Sequence, residues 1–325
     1  MSNANSNKFR CLSPQFMQDL SDKKEGLLFP LKDLVKNDNR LSLEIRNNYI
    51  NIYYRGGNLL KLSEVNKHCY KPIFNVKYSR KTDIIDGLPK EISSKSQLAM
   101  WLERFPGLKS EMDSWFSKYP KFEREFQQTV VWENNNSSIA TSTDYFIVDI
   151  EYANTKGGRF DMVAVQWDSN ASARKLQSEY LPKLCFIEMK YGDSALSGKA
   201  GMFEHVKQWS KYLSQEENTK YIKAELLKLF QQKRELGLID GLKVNPEVPR
   251  FFYDIDCIFL LANHDPEKSG LKEIMEKLGK LKIDGVEIKF CASNFMGYGL
   301  YKENVINIDK FQERYSGQIY SKGKR

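Results

Sequence analysis

The sequence predicts an α/β protein with a smaller, mainly β module on its N-terminal side. Three observations predict it. Residues 41–65, "LSLEIRNNYINIYYRGGNLLKLSEV", alternate apolar and polar residues at period two. From Pro120 onward, runs with helical period alternate with strand-like apolar runs. The most apolar of those runs, "FFYDIDCIFLLAN" at 251–263, lies well inside that second region.

The elements follow in order. Residues 1–26 open with the polar "MSNANSNKFRCL" and are expected to be flexible. Residues 27–117 form the N-terminal module. Asn47-Asn48 and Gly56-Gly57-Asn58 are turn signals, so 41–65 reads as an antiparallel meander, and "PIFNVKY" at 72–78 adds a strand. "SKSQLAMWLERF" and "KSEMDSWFSKYP" then read as helices, with Ser94 or Ser96 as cap. From 118 to 325 the order is helix, three strands, helix, strand. "PKFEREFQQTVVWE" sets Phe122, Phe126 and Val130 on one helical face, and "NNNSS" ends it. "YFIVDIEYA", "RFDMVAVQW" and "KLCFIEMK" are the three strands. "GKAGMFEHVKQWSKYL" aligns Met202, Val206, Trp209 and Leu213 along one stripe, and a Lys-rich helix follows at 221–236. Further α/β elements at 272–282, 286–293 and 305–311 close the layer.

Composition bounds the function. At 325 residues there is ample material for a core, and 41% apolar and 13% aromatic residues are those of a folded globular chain. No stretch approaches the ~20 apolar residues that span a bilayer, so no membrane association is expected. The five cysteines are scattered without a CxxC pair, and Cys185, Cys257 and Cys291 lie in apolar runs. They read as reduced core residues of a cytoplasmic protein. Three dispersed histidines offer no Cys/His cluster for zinc and no Ser/His/Asp arrangement. A net charge of +8 is compatible with a polyanionic partner, nucleic acid being the commonest.

The chemistry concentrates at "CFIEMKYGD", 185–193. An apolar run there acquires Glu188 and Lys190, which share one strand face while Ile187 and Met189 occupy the other. They form either an ion pair at a strand end or part of a site. The preceding strand carries Asp161 just after Gly157-Gly158. If the two strands are neighbours, Asp161, Glu188 and Lys190 converge at one edge. Two adjacent carboxylates repel unless positive charge lies between them, and both Lys190 and a hard divalent cation would supply it. Asp149 and Glu151 share a face of the first strand and read as a solvated edge rather than as further acid for the site. Lys199 and His205, in "ALSGKAGMFEHV", are candidates for phosphate contact, although the stretch is not a P-loop.

In these residues the chain resembles nucleases of the PD-(D/E)XK superfamily, and its RecB-like branch most. Gly158-Arg159-Phe160-Asp161 is similar to the family's G-x-x-D, Glu188-Met189-Lys190 to its (D/E)-x-K, and Gln208 to Tyr212 to its Q-x-x-x-Y. The likeness covers about residues 118 to 262. It implies a restriction-endonuclease-like core and a Mg²⁺ site, with Mn²⁺ as a substitute, made by Asp161, Glu188 and the backbone carbonyl of Met189. A helix glutamate, Glu123 or Glu125, would join them. Lys190 would position or activate water, and Gln208 and Tyr212 would contact the metal shell or the DNA backbone.

The expectation is therefore a Mg²⁺-dependent deoxyribonuclease, more in the manner of an endonuclease, deployed by analogy in bacterial restriction or phage defence. A partner protein of such a system and a homodimer are both compatible with it. Two alternatives stay open: a binding module of the same fold without catalysis, and an RNA-cleaving enzyme. In the N-terminal module, Arg46, Arg55, Lys61, Lys77, Arg80 and Lys81 interleave with tyrosines, which suits either phosphate and base contact or a solvated sheet face.

Overall fold

The computed structural model describes residues 9–81, 83–154, 156–176, 179–242, 246–262, 271–281, 283, 286–293, 300 and 305–313. They form two compact units. The first comprises residues Met1–Trp132 and Glu225–Lys243, the second Glu133–Ala224 and Val244–Arg325.

The first unit carries helices α1 (Pro14–Ser21), α2 (Phe29–Asn37) and α3 (Lys95–Lys118), and the antiparallel sheet β1 (Leu41–Ile45), β2 (Tyr49–Tyr54), β3 (Gly57–Asn66) and β4 (Cys69–Ile73). The four strands follow one another in the order β1-β2-β3-β4, which is the expected meander. Three local expectations are corrected. The stretch expected to be flexible to residue 26 contains α1, because the Ser13 hydroxyl accepts from Phe16 N–H at 3.0 Å and Pro14 stands at the first turn. "PIFNVKY" is the end of β4 and a single 3₁₀ turn, Val76–Tyr78, not a separate strand. The two helices read between 94 and 120 are one helix of 24 residues that continues through Pro106. An internal proline costs about 3 kcal/mol. Leu98, Trp101, Phe105, Leu108, Met112 and Phe116 are buried on both sides of it, and each such side chain contributes about 1.5–3 kcal/mol. The stripe outweighs the breaker. Ser94 is the cap, accepting from Gln97 N–H at 3.3 Å.

Helix α4 (Phe122–Asn135) starts in the first unit, and its last turn belongs to the second. There follow β5 (Tyr145–Ala153), β6 (Arg159–Gln166), the one-turn α5 (Ala171–Arg174), β7 (Lys183–Tyr191), α6 (Met202–Leu213), α7 (Glu216–Glu235), β8 (Ile255–Ala262), α8 (Leu271–Leu278), β9 (Val286–Ser293) and β10 (Ile306–Asn307). The sheet order is β10-β9-β8-β7-β6-β5. β5, β6 and β7 run antiparallel, whereas β7, β8 and β9 are parallel. The chain is thus a mixed α/β protein, with the helix, three strands, helix and strand in the expected order. The free edge of β5 is met by Asn135, whose amide donates to Ile147 C=O at 2.8 Å and accepts from Ile147 N–H at 2.9 Å. One side chain there stands in for the next strand. Among the described residues no helix is long and apolar enough to cross a membrane.

Candidate active site

The site is built where the antiparallel half of the second sheet meets its parallel half. β6 and β7 pair through Met162↔Ile187, so Asp161 falls one step further on, beside Glu188. There the Asp161 side chain takes over from the backbone ladder: its Oδ2 accepts from Met189 N–H at 2.9 Å. Glu188 and Lys190 share the strand face that α6 covers. Phe259, the β8 partner of Glu188, packs at 4.8 Å against Trp209 of α6, and Phe186 stacks at 3.9 Å on Phe160. Both charged residues are therefore only 4% exposed.

A carboxylate so buried needs compensation. Lys190 Nζ lies 2.7 Å and His205 Nε2 2.9 Å from the same oxygen, Glu188 Oε1. Burial alone would raise the Glu188 pKa. The hydrogen bond from His205 and the charge of Lys190 outweigh it and hold the carboxyl below its ordinary value, so the group is ionised at neutral pH. The position suits a ligand site, since in α/β sheets ligands bind at the carboxyl ends of the parallel strands.

The structure brings Asp161, Glu188, Met189 and Lys190 together, as the sequence leads one to expect. His205 joins them through Glu188, a contact that its reading as a phosphate ligand did not include. The signal for it was helical spacing: His205, Gln208 and Tyr212 lie three and four apart on one face of α6. Gln208 is exposed and makes no side-chain hydrogen bond among the described residues, and Lys199 is exposed in the loop before α6. Tyr212 is buried, and its hydroxyl is 2.6 Å from Asn154 Nδ2. Its side chain is occupied within the unit.

The helix glutamates lie in the first unit. There Glu125 accepts from Arg55 Nε at 3.0 Å. On β5, Asp149 is fully buried instead of lying on a solvated edge, because a register shift between Ile147 and Asp149 turns the strand and Asp149 Oδ1 accepts from Ile150 N–H. Glu151 falls between the pairs Ile150↔Met162 and Tyr152↔Phe160, opposite Asp161, and has the left-handed φ of 51°. Carboxylate-bearing residues thus occupy one level of three adjacent strands.

Several of the basic residues of the N-terminal module are engaged with acidic or aromatic neighbours. Arg55 pairs with Asp113 and Glu125, Lys61 lies 4.1 Å over Tyr49, Lys81 pairs with Glu111, and Arg46 is 5% exposed. Among the described residues no group of three or more His, Cys, Asp and Glu side chains is arranged to hold a metal ion. The donors nonetheless have the right chemistry for a hard cation. Asp161, Glu188 and the Met189 carbonyl all offer oxygen, and Glu188 already sits between two cationic or proton-donating groups. Compared with models of known families, with curated proteins and with solved structures, the chain matches none.

Proposed function

We propose that the chain is a divalent-metal-dependent nuclease that hydrolyses DNA phosphodiester bonds at the Asp161/Glu188/Lys190 edge. The observation that carries this reading is the convergence of three residues from two strands. Asp161 reaches across to the Met189 backbone, while the flanking Glu188 and Lys190 are paired on the face beneath α6. Asp161, Glu188 and the Met189 carbonyl would hold Mg²⁺ or Mn²⁺. The ion would neutralise the phosphate and lower the pKa of a bound water. The rest falls to the chain. Glu188 keeps Lys190 in place, and Lys190 orients the attacking water or stabilises charge developing on the phosphate. Trp209 and Phe186 keep that edge dry from below, which strengthens each of these interactions. Gln208, exposed in the middle of α6, and Lys199, exposed in the loop before it, would meet the backbone of the substrate. A net charge of +8 favours a polyanion.

The test is incubation of the protein with circular and linear DNA in Mg²⁺, Mn²⁺ and chelator, beside Glu188→Ala and Lys190→Ala. Cutting that needs metal and is lost in both variants supports the reading, and nicked circles mark it as endonucleolytic. Cutting that survives both variants, or an enzyme that cuts only RNA, overturns it.

A further inference from the structure

The turn between β5 and β6 is built on one side chain. Asn154 Oδ1 accepts from Lys156 N–H at 3.1 Å and from Gly158 N–H at 2.9 Å, and Asn154 N–H donates to Gly158 C=O at 3.0 Å. Its amide nitrogen has two hydrogens, and both have phenol partners: Tyr152 Oη at 3.1 Å and Tyr212 Oη at 2.6 Å. The second of these comes from α6, 58 residues away. The ring of the same tyrosine lies flush on the turn. A Cβ at Gly158 would stand 2.8 Å from Tyr212 Cζ and 3.1 Å from its Cε2, closer than side chains pack. Glycine is needed here for this ring, since the backbone at Gly158 does not have a positive φ. Tyr212 also meets Phe160 edge-on at 6.1 Å, and Asp161 is the next residue.

We infer that Tyr212 is a positioning residue: it latches α6 to the Asn154–Gly158 turn and thereby sets Asp161 at its place on Met189. The inference rests on the nuclease reading for its consequence, but the latch itself is independent of it. The chain of contacts is short. Tyr212 fixes Asn154 and Gly158, the turn fixes the start of β6, and Asp161 stands three residues beyond Gly158. The same helix delivers His205 to Glu188, so one rigid element locates both carboxylates. Tyr212 thus acts on the metal-binding end of the site and not on the nucleic acid.

The test compares Tyr212→Phe, which removes only the hydroxyl, and Gly158→Ala with the wild type and with Asp161→Ala. Hydrogen exchange of the Met189 amide reads the position of Asp161 directly, without cofactor or substrate. The latch predicts exchange faster by about tenfold in Tyr212→Phe, approaching Asp161→Ala, with exchange of the buried Val163 and Phe186 amides unchanged. In the cutting assay it predicts a rise of about tenfold in the metal concentration for half-maximal rate, with KM for DNA unchanged. Unaltered Met189 exchange in both variants overturns the inference. So does a rise in KM for DNA at an unchanged metal requirement, which would make Tyr212 a substrate contact. If the wild type cuts nothing, the nuclease reading fails while the exchange measurement still decides the latch.

Discussion

Asp161 Oδ2 accepts a hydrogen bond from the backbone N–H of Met189 at 2.9 Å, one residue past the point where β6 and β7 stop pairing through their backbones. A side chain here ends a β ladder, and the strand end it holds is the one that carries Glu188 and Lys190. Removing it leaves a strand-end N–H without that partner, which costs about 1–3 kcal/mol. Asp161→Ala should therefore lower stability by about that amount in denaturant unfolding and abolish cutting, whereas Asp161→Asn should recover most of the stability and none of the cutting. Activity in Asp161→Asn near the wild-type rate would remove Asp161 from the site.

Glu188 supplies a pH dependence with a definite sign. Its folded pKa lies below the ordinary 4.5 because His205 and Lys190 outweigh the cost of burial. A depressed carboxyl stabilises the fold above its unfolded pKa, and that contribution disappears as pH falls through the folded value. The gap in Tm between the wild type and Glu188→Gln should be widest above pH 4.5 and close progressively below it. A gap that widens on acidification would mean that Glu188 is not held ionised by its neighbours.

Much of this site was legible because two periodicities carry it. Period two put Glu188 and Lys190 on one face of β7, and the stripe of Met202, Val206, Trp209 and Leu213 showed which side of α6 packs down. The loop at 192–201 decides how α6 lies over β7, and no periodicity encodes a loop. Within it the chain folds closely on itself, so that a Cβ at Gly201 would stand 2.6 Å from the Ser197 backbone, and no apolar repeat announces that turn. Helical spacing places His205 on the same face of α6 as Gln208 and Tyr212, but its pairing with Glu188 depends on that loop as well. The single helix α3 is a different case: two helical stretches join through Pro106 because six buried side chains override the local breaker. The two compact units divide at Trp132/Glu133, within α4, and at Ala224/Glu225, within α7.

In the first unit, Glu44 and Lys233 form an ion pair 2.7 Å long with both side chains 1% exposed. Such a pair offsets its desolvation only while both members are present. Lys233→Met should destabilise by about 3–5 kcal/mol, because it takes the buried cation away from a buried carboxylate. Adding Glu44→Leu should recover most of that loss. Denaturant unfolding of the two single variants and the double measures the coupling, and strictly additive losses would contradict it.

The cysteines give a chemical check on burial. Cys69, Cys185, Cys257 and Cys291 are buried, and Cys11 alone is not. Burial pushes the Cys291 thiol up to about 12 and raises Cys185 and Cys257 well above the usual thiol range. Since the thiolate is the reactive form, a disulfide reagent at pH 8 should label one cysteine quickly in the native protein and five after denaturation. Rapid labelling of Cys185 would show that the strand bearing Glu188 opens to solvent.

Gln127, on the helix that leads into β5, is 1% exposed, and among the described residues neither its amide nitrogen nor its amide oxygen has a hydrogen-bond partner. A buried amide left unsatisfied costs about 1–3 kcal/mol, and a methionine of similar volume would bury the same space without that penalty. Gln127→Met should therefore raise stability by about 1 kcal/mol or more, read as a shift of the denaturant midpoint at constant slope. Its neighbour gives the control. Gln128 donates to Tyr53 C=O at 3.0 Å and accepts from Gly56 N–H, so Gln128→Met should lower the midpoint by a comparable amount. Opposite signs at adjacent positions would tie the effect to hydrogen bonding, because helix propensity differs little between the two residue types. A loss of stability in Gln127→Met would mean that the amide is satisfied in solution, by water or by a ligand held at that turn of α4.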